Sequence, residues 1–476
     1  MRRHRLLGLL LLLTLAPATS PATADTIDDY IQTEMKARRI PGLALAVVRN
    51  GTVTKIQGYG VANLEHDVPV TPDTVFELAS VSKQFTATAI MLLVEAGKVQ
   101  LDEPILTYLT RGRETWKGMT VRHLLTHTSG LPTLGEDFKA LRPGGTRKDY
   151  STAQLFDAAT KDTLSFTAGA RFQYSDVGYF VLGMIIEQAS GQRYREFLEE
   201  RFFKPLGMSS TSVVDHWKIL RHRAAGYTLR ENELVNNRRV TQSELPSWGG
   251  VFSSVKDLVI WQAALAAGRV VKPATLAQMW TPVRLNDGAT YPYGFGWFVD
   301  ERRRHRWISH SGITGTEVSE FPDDGLTVVV LANLGQTLGW TRVNAWGLTY
   351  GVAGRHIAGL LVGSETARPD PDAALTQRLR DVLAAIGRSE NSPLVTPGLS
   401  QYFTTFIRQL LTERLSTVKS FTFVACDDVR SRATERLGVA VDRVCHYRLI
   451  NAAETRYYSF WLTGDGRIAD IWSSTE

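Results

Sequence analysis

Two cysteines, Cys426 and Cys445, are all that 476 residues contain, which excludes a small disulfide-built scaffold and any cysteine-rich metal cluster. Long hydrophobic runs are also missing. The one marked apolar stretch, Leu6 to Ala16, is eleven residues long and broken by Thr14, too short to span a bilayer comfortably. Charge is modest, with 54 Lys and Arg against 48 Asp and Glu, and nothing in that balance suggests nucleic acid as a partner. No Gly-x-Ser-x-Gly elbow occurs, which disfavours an α/β-hydrolase. His123 and His127 are four apart, but the Glu of His-Glu-x-x-His is absent, so a zinc hydrolase gains little support. There are no internal repeats and no low-complexity tracts. What remains is 43% hydrophobic and 9% aromatic, enough for two or three well-formed cores.

The N-terminus reads MRRHRLLGLLLLLTLAPATSPATAD. Arg2, Arg3 and Arg5 precede the apolar stretch, and Ala22-Thr23-Ala24 follows it as a small-residue cleavage pattern. These are the three parts of a secretory signal peptide over residues 1–24. Cleavage is expected before Asp25, giving a periplasmic or secreted product. Removing the leader takes away three Arg and no acids, leaving a net charge of +3. Export permits the two cysteines to oxidise. Cys426 and Cys445 fall on two expected neighbouring strands, so a disulfide between them and a pair of buried thiols both remain open.

Gly42 to Asn63 gives two β-rich runs joined at Asn50-Gly51, a strong hairpin signal. Residues 82–96 have helical periodicity with Phe85, Ala89, Leu92 and Ala96 on one face, and Gly97 stops them. Residues 115–280 read mainly as helices and loops. Short strands return at Gly294–Val299, His305–Ser309, Gly315–Phe321 and Leu326–Leu331, and a helix over Val343–Leu360 closes the domain. Strands at both ends with helices between predict an antiparallel sheet with a helical insertion beside it. Composition shifts at 366–372, a linker, after which 373–476 reads as helices near 373–387 and 398–414 and four strands, an α+β module. The expected boundaries are therefore 1–24, 25–365, 366–372 and 373–476.

Three polar clusters stand out. Ser80-Val81-Ser82-Lys83 opens the apolar helix. A serine in a first helical turn can aim its unpaired N–H at a negative oxygen. Lys83, three residues on, can reach the Ser80 hydroxyl. Taken alone the pair is weak, because an N-cap serine and a surface lysine have the same spacing. Tyr174-Ser175-Asp176 precedes another helix, where capping is the plain reading of Asp176. His310-Ser311-Gly312-Ile313 ends a strand in a Gly-rich polar segment.

In that order, Ser80-x-x-Lys83, Tyr174-x-Asp176 and His310-x-Gly312 resemble the penicillin-recognising serine hydrolases: class C β-lactamases, DD-carboxypeptidases, D-aminopeptidases and related esterases. The segments ELASVSKQFTA, VRHLLTHTSGLP, FQYSDVGYFVLG, GGVFSSVKDL and YGFGW resemble them too, and the likeness covers residues 27–360. The resemblance implies an α+β β-lactamase/transpeptidase-like fold, an antiparallel sheet flanked by helices with a helical subdomain. It also implies catalysis through an acyl-enzyme. Ser80 would be the nucleophile and Lys83 would accept its proton or tune its neighbour. Tyr174 would be base and then acid, its phenol needing the Lys83 ammonium to work near neutrality. The N–H groups of Ser80 and Ile313 would form the oxyanion hole. Asp176, His310, Ser311 and Gly312 would support or bind substrate.

Two positions depart from the usual pattern. His310 stands where many members place Lys, and Asp176 where most place Asn. An Asp keeps the acceptor for Lys83 but loses the donor to a substrate carbonyl. That moves weight from β-lactamase towards an esterase or a peptidase acting on a small ester or a D-amino-acid-containing peptide. A class C-like β-lactamase and a non-hydrolytic penicillin-binding sensor or cell-wall binder are the alternatives. This chemistry calls for no cofactor and no metal. Substrate choice is expected to rest on the cleft loops 131–150 and 281–292. His446, in the C-terminal module, is read as isolated on its strand, with packing or partner binding as its role.

Overall fold

The computed structural model describes residues 21–475 apart from 110, 133–150, 160–162, 216, 232, 238–246, 336–353, 363–365, 402, 404 and 453–454. Residues 1–20 of the expected leader, residues 133–150 and most of the expected 343–360 helix lie outside the described residues. Among those described, no helix is long and apolar enough to cross a membrane.

The first helix, α1 (Pro21–Arg38), leads into β1 (Gly42–Arg49) and β2 (Thr52–Asn63). They turn at Asn50 and Gly51, both with positive φ (49° and 76°), the mirror-image geometry that matches strand twist in a two-residue hairpin. A short β3 (Val68–Pro69) flanks β2. Far along the chain come β4 (Phe298–Arg302), β5 (His305–Gly312), β6 (Thr316–Phe321) and β7 (Leu326–Ala332). The sheet order is β4-β5-β6-β7-β1-β2-β3. β1 and β7 pair antiparallel from Leu43↔Ala332 to Arg49↔Leu326, so the two ends of the domain meet at the centre of the sheet.

Alternation along these strands feeds two cores. Leu43, Leu45 and Val47 of β1 join Val328 and Val330 of β7 on one face, covered by Ile27 and Ile31 of α1 and by Ile357 of α6 (Gly354–Leu361). Ala44, Ala46, Val329 and Leu331 face the other way. There they meet α2 (Lys83–Glu95), α4 (Asp176–Ser190) and α5 (Val255–Ala266), with α3 (Val121–Leu125) packed on α4. The insertion is less purely helical than its sequence suggests. It holds small sheets too, including Phe76–Glu77, Ser212–Val213 and Val251–Ser253 in one three-stranded unit. Runs of two or three strand residues are too short to carry a period-two signal.

The C-terminal module packs α7 (Ala373–Gly387) and α8 (Thr405–Ser416) on a sheet of β8 (Ser420–Asp428), β9 (Arg443–Ile450), β10 (Thr455–Leu462) and β11 (Ile468–Thr475). Its core is separate: Leu379, Leu383, Ile386 and Leu411 against Tyr447, Phe460 and Ile471. Cys426 and Cys445 face each other across β8 and β9 and are disulfide-bonded.

Candidate active site

Ser80 lies in a single 3-10 turn, Ala79–Ser82, that runs straight into α2. Ser82, at the helix N-cap, makes no capping bond with its side chain; its Oγ instead accepts from the Val251 amide at 3.0 Å. The turn is held from the strand side. Thr314 Oγ1 donates to the Glu77 carbonyl (2.6 Å) and Thr316 Oγ1 to the Leu78 carbonyl (2.8 Å). The Leu78 amide donates to the Val251 carbonyl (2.9 Å). A Cβ at Gly312 would come within 2.2 Å of the Leu78 carbonyl oxygen, so only glycine lets β5 approach the nucleophile turn this closely. Ala79 carries φ +47°, an unfavourable conformation for a residue with a Cβ, one residue ahead of Ser80.

Lys83 is fully buried, and its ammonium has three partners: Asp176 Oδ1 at 2.6 Å, the Trp248 carbonyl at 2.8 Å and Ser80 Oγ at 3.2 Å. Three donors are what an ammonium has. Asp176 is free for this role because Ser175, not Asp176, caps α4: Ser175 Oγ accepts from the Gly178 amide at 3.1 Å. Burial lowers the Lys83 pKa, and the Asp176 carboxylate opposes that shift. The amine also sits over the faces of Tyr174 and Tyr179, 4.8 and 5.4 Å from the ring centroids.

Tyr174 is half-buried, with its hydroxyl shut off from solvent beside the Ser80 hydroxyl. Burial first, then the Asp176 charge, drive its pKa well above the ordinary phenol value, while the Ser80 hydroxyl acts weakly the other way. From the sequence alone, a phenol made more acidic by Lys83 is expected here. In the free protein burial and the Asp176 charge outweigh that influence and the shift runs upwards.

His310 is buried on β5. Its Nδ1 lies 2.9 Å from the Ser311 carbonyl, so Nδ1 carries the proton, and Nε2 accepts from the Tyr293 hydroxyl at 3.1 Å. Burial, followed by Lys83, pushes its pKa down to about 3. The ring is therefore neutral at ordinary pH and offers no charge to a substrate carboxylate. Ser311 is exposed, and Gly312 to Gly315 form a tight turn closed by the Gly315 amide on the Gly312 carbonyl (3.0 Å), with Ile313 about half exposed on it.

Three participants were missed in the sequence. Trp248 contributes only a carbonyl, which leaves no side-chain signature. Tyr293 lies in the quoted YGFGW segment but without an assigned role. His127 is buried against Tyr174 with ring centroids 4.1 Å apart, and its Nδ1 accepts the Ser175 amide at 3.0 Å. Burial, then Lys83 and His310, lower its pKa well below the usual imidazole range. It thus fixes the Tyr174-Ser175-Asp176 segment from beneath. His123 turns away to the α3 cap, its Nδ1 3.1 Å from the Thr120 amide, and no metal-binding cluster occurs among the described residues.

His446 is not isolated. Its Nδ1 is 2.9 Å from Ser459 Oγ and its Nε2 3.4 Å from Asp427 Oδ2, which also accepts from Arg304 Nε at 3.0 Å. Ser459 and His446 are both buried, so the group ties the module to β4-β5 without presenting a nucleophile.

The model of the family described as Beta-lactamase matches residues 27–346. Penicillin-binding protein 4* of Bacillus subtilis is 32% identical over 310 residues, 60% of this chain and 68% of that protein. Protein flp of Staphylococcus aureus (strain MW2) is 28% identical over 323 residues, 65% of this chain and 62% of its own length. Among solved structures, the octameric penicillin-binding protein homologue from Pyrococcus abyssi shares the fold over 94% of both chains (TM-score 0.61, 23% identity). The D-amino acid amidase of Ochrobactrum anthropi SV3 matches 66% of this chain and 92% of its own (TM-score 0.58, 26% identity). With the sheet, the flanking helices and the family model agreeing over most of the chain, this protein belongs to the Beta-lactamase family of serine-hydrolase-type proteins.

Proposed function

We propose that this is an exported serine hydrolase that acts through a Ser80 acyl-enzyme on an ester or a D-amino-acid-containing peptide or amide. The observation that carries the reading is the chain Ser80 Oγ–Lys83 Nζ–Asp176 Oδ1, at 3.2 and 2.6 Å, with the shielded Tyr174 hydroxyl beside it. Kinship to penicillin-binding protein 4* and to a D-amino acid amidase supports the substrate class.

In this reading Ser80 Oγ attacks the substrate carbonyl while its proton passes to Lys83, in the fraction of molecules whose amine is neutral. The Ser80 and Ile313 N–H groups receive the oxyanion, at roughly 3 kcal/mol per donor. Collapse breaks the bond to the leaving group, and Tyr174 supplies that group's proton. The Tyr174 phenolate so formed is stabilised by the new Lys83 ammonium. Water then attacks the acyl-enzyme and gives its proton to Tyr174, and Lys83 returns its proton to Ser80. Asp176 raises the proton affinity of Lys83 and gives no amide donor to the substrate, which favours esters and simple amides over β-lactams.

The test is turnover of p-nitrophenyl acetate and butyrate, nitrocefin and a D-Ala-D-Ala peptide by residues 25–476, with Ser80→Ala as control. Ester or peptide turnover lost in the control supports the reading. Nitrocefin hydrolysed faster than every other substrate contradicts it.

A further inference from the structure

The hairpin Val283–Arg284/Thr290–Tyr291 bridges two parts of the molecule that are distant in sequence. On its inner side Tyr291 stacks on Phe172, ring centroids 3.7 Å apart and planes 10° from parallel. Phe172 lies two residues before Tyr174 and edges onto His127 (5.8 Å). The hairpin tip is fastened to the same wall: the Asn286 amide donates to the Gly169 carbonyl (2.9 Å) and Asn286 Nδ2 to the Ala168 carbonyl (3.0 Å). Gly169 carries φ +81°, a backbone conformation that favours glycine at this seat.

On its outer side the same hairpin is held by the C-terminal module. The Thr290 amide donates to the Ala433 carbonyl at 2.7 Å, and Thr290 Oγ1 lies 3.0 and 3.1 Å from the Arg432 and Ala433 carbonyls. Thr290 and Thr434 form a parallel bridge, so the module adds a stretch of backbone to the hairpin's edge. The turn that presents these carbonyls is pinned in turn. Arg436, with 8% of its side chain exposed, pairs with Asp300 at 2.5 Å, and Asp300 is itself 10% exposed. Asp300 lies on β4 and also accepts from Arg302 Nη1 at 3.0 Å, so a buried carboxylate shared by two arginines seats the turn against the sheet beside the hairpin.

We infer that the C-terminal module is a positioning element for substrate selection: through Arg436 and the Arg432–Thr434 backbone it fixes Thr290-Tyr291, and the half-buried Tyr291 and Phe172 rings form an apolar subsite beside Tyr174 for an aromatic or other flat apolar group of the substrate. The substrate part of this inference rests on the Ser80 acyl-enzyme reading; the positioning part does not. Phe172 and Tyr291 touch substrate, whereas Arg436 acts only through them.

Hydrogen exchange and kinetics of residues 25–476 test both parts. In Arg436→Met the amide of Thr290 and its hairpin neighbours exchange at least tenfold faster, while α2 and α4 stay protected. For p-nitrophenyl phenylacetate KM rises about 3–10-fold with kcat within twofold, and p-nitrophenyl acetate is hydrolysed at near wild-type kcat/KM. Arg436→Lys restores part of the KM. Tyr291→Ala loses the preference for phenylacetate, and Arg436→Met adds nothing further in that background, because both act on one contact. Thr290→Val, which keeps the shape and removes the hydroxyl contacts, gives a smaller version of the Arg436 effect should Arg436→Met lower solubility. Unchanged exchange at Thr290, or equal losses on acetate and phenylacetate, overturns the inference. Should the wild type turn over neither ester nor D-amino-acid peptide, the hydrolase reading falls, and the exchange experiment still decides the positioning role.

Discussion

Replacing Asp176 by Asn probes the electrostatics of the site most sharply, because it keeps the shape and removes the charge 2.6 Å from Lys83 Nζ. Two opposed influences set the Lys83 pKa: burial, which lowers it, and Asp176, which raises it. Asp176→Asn removes the raising influence and leaves burial to push the Lys83 pKa further down. If neutral Lys83 is the base for Ser80, the rising limb of the kcat/KM profile moves down in pH by the same amount. Each unit makes about tenfold more neutral amine at a fixed pH below the limb. The weaker base returns roughly half of that on a logarithmic scale, leaving a net gain of about threefold per unit. Stability responds in a defined sense. The folded Lys83 pKa lies below its unfolded value of 10.5, so between the two the unfolded chain binds the extra proton and stability rises with pH. The substitution extends that window downwards, so its added cost is full below the variant's Lys83 pKa and is gone once pH exceeds the wild-type one. The assays are a pH–rate profile with p-nitrophenyl butyrate and urea unfolding at pH 7 and 9.5. A limb that stays in place, or a rate that falls at every pH in a folded variant, refutes the assignment of Lys83 as the base.

Other outcomes follow from the same geometry. His310, with its pKa near 3, produces no limb in the rate profile between pH 5 and 8. Because the unfolded ring titrates near 6.5, its neutral burial contributes stability above that pH that drains away on acidification towards 3, and the ring's NMR shifts stay those of neutral imidazole at pH 5. Glu320 works in the opposite sense. It is buried, its pKa is pushed up to about 8 from 4.5, and the folded state holds the extra proton. Its stability contribution is full below 4.5 and is lost as pH rises through 8, so Glu320→Gln flattens the fall in stability over that range in urea titrations. The Cys426–Cys445 bond closes a loop of 19 residues. Its removal in a Cys426→Ala/Cys445→Ala pair costs about 3 kcal/mol, seen as a lower midpoint for the module with ester turnover largely retained.

Much of this arrangement is legible in the sequence, and the exceptions have physical reasons. Asn50-Gly51 specifies its hairpin locally, because only residues tolerant of positive φ fit both turn positions. The pairing of β1 with β7 is non-local, and the sequence shows only that strands stand at both ends of the domain with helices between, because nothing local marks which strands become neighbours. Lys83 at the start of an apolar helix is conspicuous because a solvated lysine has no place there. Backbone contributions are silent in sequence: the Trp248 carbonyl on Lys83 and the Ala433 carbonyl on Thr290 could each come from any residue type. Tyr293 reads as an ordinary packed aromatic and His127 as half of a weak histidine pair, because their roles depend on a neighbour brought in from another element. Asp176 misleads in a different way. Capping is its local default, and only the seating of Ser175 in the cap releases it to Lys83.

The most direct test of the central claim is the site of acylation. Residues 25–476 are mixed with p-nitrophenyl butyrate, quenched in acid within milliseconds to seconds, and measured by intact mass and peptide mapping. The account predicts a transient butyryl adduct, roughly 70 Da, on the peptide containing Ser80. The adduct is absent in Ser80→Ala, accumulates in a Tyr174→Phe variant, and decays in the wild type at the rate of steady-state turnover. Ester hydrolysis that proceeds undiminished in Ser80→Ala, or an adduct mapped to any other residue, contradicts it.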